Sequence, residues 1–266
     1  MNFVNFFKVN LQNIRKISKL AALDLKKIYA GSFLGFIWVL LRHIIVVFVF
    51  WFTFYVGLRG NNYIEGYPYL IWLIVGLTPW FYIADGLNQG ATTFIKKAYI
   101  VKKIKYKIET LPMTTIFTFF ISHLFFLGVT LSLLIAYGFF PAKFNIMLPY
   151  YTICLFLFLW AVSILTSSLS TLIRDVPYFV QSITSALLWL SPILWPFTNL
   201  PENLQKVMMF NPIFYIVNGY RNALLYGNYD LMFSTESIIF WVELLVIFLI
   251  GIRSFYKLKP VLSDLI

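Results

Sequence analysis

Four ionisable residues interrupt long apolar runs of this 266-residue chain, and they are the first candidates for chemistry. They are Arg42, His43, Asp85 and Glu243. If these runs span a membrane, a charge at a helix centre costs about 2.5–3.5 kcal/mol and normally faces a partner or water. The guanidinium of Arg42 suits a phosphate group, or it reaches the inner lipid head groups. For Asp85 and Glu243, we expect pairing within the bundle or a place near its interface, with a proton relay as the alternative.

Residues that enzymes commonly use are scarce. Cys154 is the single cysteine, which excludes a disulfide framework and a thiolate metal cluster. His43 and His123 lie 80 positions apart, with no carboxylate spaced to join them as metal ligands. No G-x-x-x-x-G-K-[ST] run occurs, so the chain holds no ATP by a P-loop of its own. Any ATP-driven activity therefore requires a separate ATPase polypeptide.

The composition indicates that lipid is the solvent of this chain. It is 61% hydrophobic and only 12% charged, and its mean hydropathy is +0.82. A soluble domain is about 25% charged. The formal net charge of +11 is typical of proteins that bind nucleic acid or an anionic membrane surface. With so much apolar sequence, we expect the membrane and no nucleic-acid partner.

Six segments have the length of a spanning helix, which needs about 20 mostly apolar residues. They predict an all-α membrane protein with six transmembrane helices. The predicted spans are about 33–57, 69–94, 113–139, 147–173, 178–198 and 236–256.

A further apolar stretch, 207–227, is broken by Asn211, Pro212 and Arg221. With six spans, 16 of the 21 Lys and Arg residues lie on one side of the membrane and four on the other, with Arg42 inside the first span. The positive-inside rule then places both termini in the cytoplasm, whereas a seventh span would export the basic C-terminus. We therefore predict that 207–227 forms re-entrant helices at the outer surface, covered by protein or by a wet cavity.

Residues 1–30 are predicted to form an amphipathic helix in the cytoplasmic membrane interface. Its basic residues alternate with apolar ones, which excludes a signal peptide. No long linker follows, so we predict a single domain, 1–266, with a six-helix bundle over 31–257. At 100° per residue, one face carries Phe3, Phe6, Phe7, Ile14, Ile17, Ala21, Leu25 and Ile28.

Two basic cytoplasmic connections are candidates for contact with a partner. Segment 96–112 is either a solvated loop or a short helix that docks on a partner. The connection 174–177 is a tight turn in which Asp175 suits an N-cap and Pro177 the first helical turn. The candidate contact residues are Lys97, Lys102, Lys103, Lys105, Arg174 and Asp175.

Four motifs in order carry a family resemblance. They are Tyr29-x-x-Ser32-x-Leu34-Gly35-x-x-Trp38, Arg174-Asp175-Val176, Ser191-Pro192-Ile193-Leu194-Trp195, and Asn211-Pro212 through Gly219-Tyr220-Arg221 to Leu225-Tyr226-Gly227. From about residue 10 to residue 256, the chain resembles the permease subunits of ABC transporters that export polysaccharides. The teichoic-acid translocation permeases are the most similar, with O-antigen and capsular exporters as relatives.

The resemblance implies a permease homodimer in the bacterial plasma membrane above two ATPase subunits, which bind ATP and Mg²⁺. This chain then binds no cofactor of its own. It also implies an interface helix, coupling helices and outward re-entrant helices. The implied substrate is a polymer on undecaprenyl diphosphate, such as wall teichoic acid, that moves from the inner leaflet to the outside. We expect Arg42 to meet the diphosphate.

Aromatic residues concentrate toward the ends of the spans, where an interfacial belt is the usual explanation. The alternative is a channel in which aromatic faces stack on sugar rings and let a polymer slide. The candidate pathway residues are Trp38, Arg42, His43, Trp51, Tyr55, Trp72 and Trp189.

Other classes of membrane protein leave different patterns. A glycosyl or acyl transferase needs a clustered acid/base pair or an activated nucleophile. A channel needs a filter or repeated polar positions along one span. A secondary transporter shows inverted repeats or carboxylates in matching halves, for which Asp85 and Glu243 are a weak indication. The transferase and the secondary transporter remain the alternatives to the exporter.

Overall fold

The computed structural model describes residues 3–58, 63–97, 106–139 and 144–265, and their fold is helical, as predicted. The helices are α1 Phe3–Gln12, α2 Ile14–Ile28, α3 Trp38–Trp51, α4 Tyr69–Ala91, α5 Leu111–Ala136, α6 Phe144–Ser170, α7 Val176–Leu190, α8 Glu202–Met208, α9 Pro212–Arg221 and α10 Thr235–Leu265. Short 3-10 turns lie at Gly35–Ile37, Ile108–Thr110, Phe197–Asn199 and Asp230–Phe233, and π-helical turns at Phe52–Gly57 and Asn222–Tyr226. Strands β1 Tyr63–Ile64 and β2 Tyr67–Pro68 form an antiparallel pair, with Tyr63 opposite Pro68.

Five of the predicted spans are helices that are long and apolar enough to cross a membrane. They are Gly35–Gly57, Tyr69–Ala91, Ile108–Ala136, Ile146–Ser170 and Thr235–Pro260. The chain is therefore a multi-pass membrane protein.

The predicted span 178–198 is wrong as a single helix, because α7 ends at Leu190. Ser191 is extended, with ψ 145°. The ring of Pro192 disfavours the helical conformation for the residue before it. A helix of 15 residues is about 22 Å long, whereas the hydrocarbon core is about 30 Å thick. This helix alone is thus shorter than the membrane.

The predicted helix over 1–30 is two helices, α1 and α2, which are separated at Asn13. The side-chain amide Nδ2 of Asn13 donates a hydrogen bond to the backbone carbonyl of Val9 at 2.7 Å. Phe6 and Ile17, both on the predicted apolar face, are fully buried. Helix α2 packs along α5, while Phe6 stacks on Trp160 of α6. Much of the amphipathic face is therefore covered by the bundle itself.

Helix α4 is the centre of the fold. Of its most apolar window, 83% is buried, against 17% for the window of α3. It packs against α5, α6, α7 and α9, whereas α10 packs chiefly on α6. The apolar outer faces of α3 and α10 therefore need lipid or another protein to cover them.

Two ion pairs define one end of the bundle, which we call the basic end. Lys97 Nζ lies 2.6 Å from a carboxylate oxygen of Asp24, and Lys259 Nζ lies 2.5 Å from Glu109. The C-terminal ends of α4 and α10 therefore lie beside α2 and the start of α5. The opposite end contains the β-ladder, α8 and α9, and there the Tyr67 hydroxyl donates to the carbonyl of Leu225.

Close packing of α9 on α6 gives the first prediction. A Cβ at Gly219 would lie 2.2 Å from the ring of Tyr151, whereas a Cβ at Gly128 in α5 would meet nothing within 4 Å. We expect Gly219→Ala to destabilise the chain by about 1–3 kcal/mol, because overpacking displaces the ring. Gly128→Ala, the matched control, should be neutral or stabilising. The check is the melting temperature in detergent, and a Gly219→Ala protein as stable as the control would contradict this packing.

Candidate functional site

The first element of the site is an ion pair between α3 and α4. Arg42 Nη2 donates to Asp85 Oδ2 at 2.5 Å and to His43 Nε2 at 3.1 Å. The side chain of Arg42 is 43% exposed and that of Asp85 is 19% exposed. His43 is buried, and its ring stacks on Phe81 with 4.3 Å between centroids. Asp85 thus pairs within the bundle, as expected, and Arg42 has a protein partner at membrane depth.

A polar cavity of about 530 Å³ adjoins this pair at the basic end. Helix α4 contributes Asp85, Asn88 and Gln89, and Thr92 follows directly after its end; their spacing of three and four places them on one helical face. The other lining residues are Ile95, Lys96, Arg174, Pro177, Tyr178 and Gln181. The cavity therefore lies between the C-terminal part of α4 and the start of α7.

The lining of this cavity favours an anion. Among the described residues that line it, the cations are Lys96, whose Nζ donates to Gln89 Oε1 at 2.8 Å, and Arg174, which is exposed. The carboxylate of this lining is Asp85, which Arg42 neutralises. The amino end of α7 opens on the same space and adds the positive end of the helix dipole. Sequence analysis missed this cavity, since its two walls lie about 80 to 90 residues apart in the chain.

The predicted partner contacts fall into three groups. The ammonium of Lys97 binds the carboxylate of Asp24 within the chain. Lys97 has a lowered pKa, because burial lowers it more than the charge of Asp24 raises it. Its side chain is only 14% exposed, so little of it faces a partner. Arg174 and Asp175 are exposed on the turn before α7, and Asp175 is the N-cap residue although its side chain makes no capping bond. The remaining candidates, Lys102, Lys103 and Lys105, lie outside the described residues.

At the opposite end, a buried arginine joins three helices. Arg221 Nη1 donates to the carbonyl of Pro192 and Nη2 to that of Ile193, both at 2.8 Å. The guanidinium lies 3.5 Å from the centroid of the Trp72 ring, and Arg221 is only 2% exposed. We call this arrangement the Arg221 clamp. It links the end of α9 to α4 and to the carbonyls that follow α7. The sequence analysis assigned Arg221 only to one side of the membrane, and that assignment could not show these contacts.

The Asn211-Pro212 motif fixes the start of α9. Asn211 Oδ1 accepts from the backbone N–H of Ile213 at 3.0 Å, and its Nδ2 donates to Ser191 Oγ at 3.0 Å. Pro212 occupies the first helical position, where its missing N–H costs nothing. The predicted stretch 207–227 is therefore the end of α8, then α9 and a π-helical turn.

The predicted aromatic residues do not share one environment. Trp51 stacks on Tyr55 with 5.3 Å between centroids. Trp189 is 56% exposed and Trp38 is 38% exposed. Trp72, in contrast, is 1% exposed beneath Arg221. Its position gives Trp72 a packing role, while the other four retain accessible surface.

The two membrane-depth carboxylates are not joined. Asp85 pairs with Arg42, whereas Glu243 Oε2 on α10 is buried with no hydrogen-bond partner among the described residues. The part of the chain that the structure describes also contains no group of His, Cys, Asp and Glu able to hold a metal ion.

Comparison with known proteins gives a family and several relatives. The sequence model of the ABC-2 type transporter family matches residues 16–225, which include the whole cavity and the Arg221 clamp. An O-antigen export system permease protein RfbA from Klebsiella pneumoniae is 26% identical over 237 residues, 89% of each chain. A second from that species is 25% identical over 239 residues, again 89% of each. One from Myxococcus xanthus is 25% identical over 200 residues, 74% of this chain and 75% of the relative.

The Arg42–Asp85 pair gives the second prediction. Arg42→Gln and Asp85→Asn should each lower the melting temperature in detergent, since each leaves one charge unpaired among apolar helices. The double variant should recover part of the loss. The double-mutant cycle should show a coupling of about 0.6–1.7 kcal/mol, between the average and the largest value measured for polar contacts within membranes.

Glu243→Gln is the matched control, because this carboxylate has no hydrogen-bond partner among the described residues. Combined with Arg42→Gln it should show no coupling. Strictly additive effects of Arg42→Gln and Asp85→Asn would mean that the pair contributes nothing to stability.

Proposed function

Since this chain belongs to the ABC-2 type transporter family, we propose that it is the membrane-spanning permease of an ATP-driven exporter of a cell-surface polysaccharide. The observation that carries the proposal is similarity to O-antigen export permeases over 89% of each chain. These relatives favour an O-antigen type of polymer over the wall teichoic acid that the sequence motifs suggested. The polymer is carried on undecaprenyl diphosphate and moves from the inner to the outer leaflet of the bacterial plasma membrane.

In the proposed topology, the chain crosses the membrane six times with both termini in the cytoplasm. Helix α7 is the fifth crossing segment in chain order, starting at the turn 174–177 and completed by the extended residues after Leu190. Its start lies beside the basic end and its end is held by Arg221 at the opposite end. Helices α8 and α9 then form the re-entrant pair. The positive-inside rule places the basic end in the cytoplasm.

Two copies of the chain assemble with two ATPase subunits, which bind ATP and Mg²⁺. The ATPase contacts the turn 174–177 and the segment 96–112. Support comes from Arg174 and Asp175, which are exposed where α7 begins. Movement of this turn would be passed to α7 as a unit, provided that the ATPase binds it differently in the open and closed states.

The substrate path begins at the cavity beside Arg42 and ends at aromatic side chains of the opposite half. Arg42, Lys96 and Arg174 attract the diphosphate of the carrier from the cytoplasmic leaflet. Toward the outside, Trp51, Tyr55 and Trp189 offer ring faces to the sugars. The exposed faces of α3 and α7 face the second copy across this path.

Deletion of the gene that encodes this chain tests the proposed function. The deletion strain should lose the surface polysaccharide and accumulate the lipid-linked polymer inside, and the wild-type gene should restore export. Immunoblots of whole and lysed cells measure the two pools. Normal surface polysaccharide without the chain would overturn the proposal.

The turn before α7 gives the third prediction. Arg174→Glu should leave assembly intact but reduce export at least about tenfold while the ATPase continues to hydrolyse ATP, because reversing this charge disrupts the contact that transmits closure. Arg253→Glu, an exposed basic residue of the same end, is the matched control. Export and hydrolysis are measured in the same preparations. Equal export by both variants would remove the turn from the coupling mechanism.

A further inference from the structure

Among the described residues that line the polar cavity, Asp85 is the one carboxylate and Lys96 and Arg174 are the two cations, and Arg42 adjoins the cavity through its ion pair with Asp85. Arg42 comes from α3 and contacts Asp85 directly at 2.5 Å. Lys96 follows α4 and is held by Gln89 at 2.8 Å. Arg174 comes from the turn before α7 and is exposed. Three cations and one carboxylate leave two positive charges for a ligand to neutralise.

The geometry of these groups suits a diphosphate. A guanidinium offers five N–H donors in a planar fork, and Arg42 directs only Nη2 to Asp85 and His43. The side chain of Arg42 is 43% exposed next to Asp85, which lines the cavity, so it has donors that Asp85 does not occupy. A diphosphate carries at least two negative charges and enough oxygen acceptors to reach cations on separate segments.

We propose that Asp85 is a built-in competitor of the carrier's diphosphate: its carboxylate neutralises Arg42 until the diphosphate enters the cavity and takes its place. The inference rests on the proposed function for the identity of the ligand. Transport requires binding that is favourable enough for entry and weak enough for release. Asp85 supplies the release, because its return to Arg42 displaces the phosphate oxygens.

The test measures binding of radiolabelled farnesyl diphosphate to the full-length chain, purified with its bound subunits and without nucleotide. Asp85→Asn should lower Kd by about 3- to 18-fold, which corresponds to the average and the largest coupling measured for polar contacts within membranes. Arg42→Gln removes the group for which the two anions compete, so it should raise Kd whether position 85 holds Asp or Asn. Arg174→Gln and Lys96→Gln should raise Kd, and Lys206→Gln, on exposed α8, is the matched control.

Two competitors distinguish the sources of the phosphate. Inorganic pyrophosphate should compete with farnesyl diphosphate, whereas phosphatidylglycerol at equal concentration should not. Displacement by phosphatidylglycerol would assign the cavity to ordinary lipid and overturn the proposal. An unchanged or raised Kd in folded Asp85→Asn protein would also overturn it.

If the Asp85→Asn protein does not fold, the exposed variant Arg174→Gln provides the remaining test. An unchanged Kd in that variant would show that farnesyl diphosphate does not bind in the cavity and would overturn the proposal. The outcome is separable from the proposed function. Diphosphate binding with the predicted response to Asp85→Asn in a chain that exports nothing would support this inference and contradict the exporter. If export is restored but Kd does not respond to Asp85→Asn, the exporter is supported and this inference is contradicted.

Discussion

An apolar solvent penalises every charge that lacks a partner, and the fold around α4 meets this constraint with two guanidinium groups. Near the basic end, Arg42 is paired with Asp85 of α4. Near the opposite end, Arg221 lies over Trp72 of α4 and binds two backbone carbonyls. Gly76 makes this approach possible, since a Cβ there would lie 2.7 Å from Arg221 Nη2. The central position of α4 therefore follows from its polar positions as well as from its apolar ones.

These two arrangements also connect the ends of the molecule through α7. Its amino end forms a wall of the polar cavity, next to Arg174. The carbonyls just beyond its carboxyl end are the acceptors of Arg221. The turn before α7 is therefore connected to α9 through α7 and the two hydrogen bonds of Arg221. Under the proposed function, this path would link the proposed ATPase contact to the proposed outward surface.

The sequence predicted six spans, and five of them are helices long enough to cross a membrane, because apolar length depends only on local composition. It failed where one residue decides a local conformation, as Pro192 does in ending α7 and Asn13 does between α1 and α2. It also named no contact between distant segments, although it allowed for pairing of Asp85 within the bundle. The pairing of Arg42 with Asp85 and the burial of Trp72 depend on how helices pack, which helical periodicity does not specify.

The most direct test of the exporter assignment is the composition of the native complex. The tagged chain would be purified in several mild detergents, and the mass and the nucleotide hydrolysis of the purified material measured. The account predicts two copies of this chain with two copies of an ATPase that carries a P-loop, and ATP hydrolysis by the complex. A chain that is isolated without any ATPase under all these conditions would contradict the account and favour a transferase or a secondary transporter.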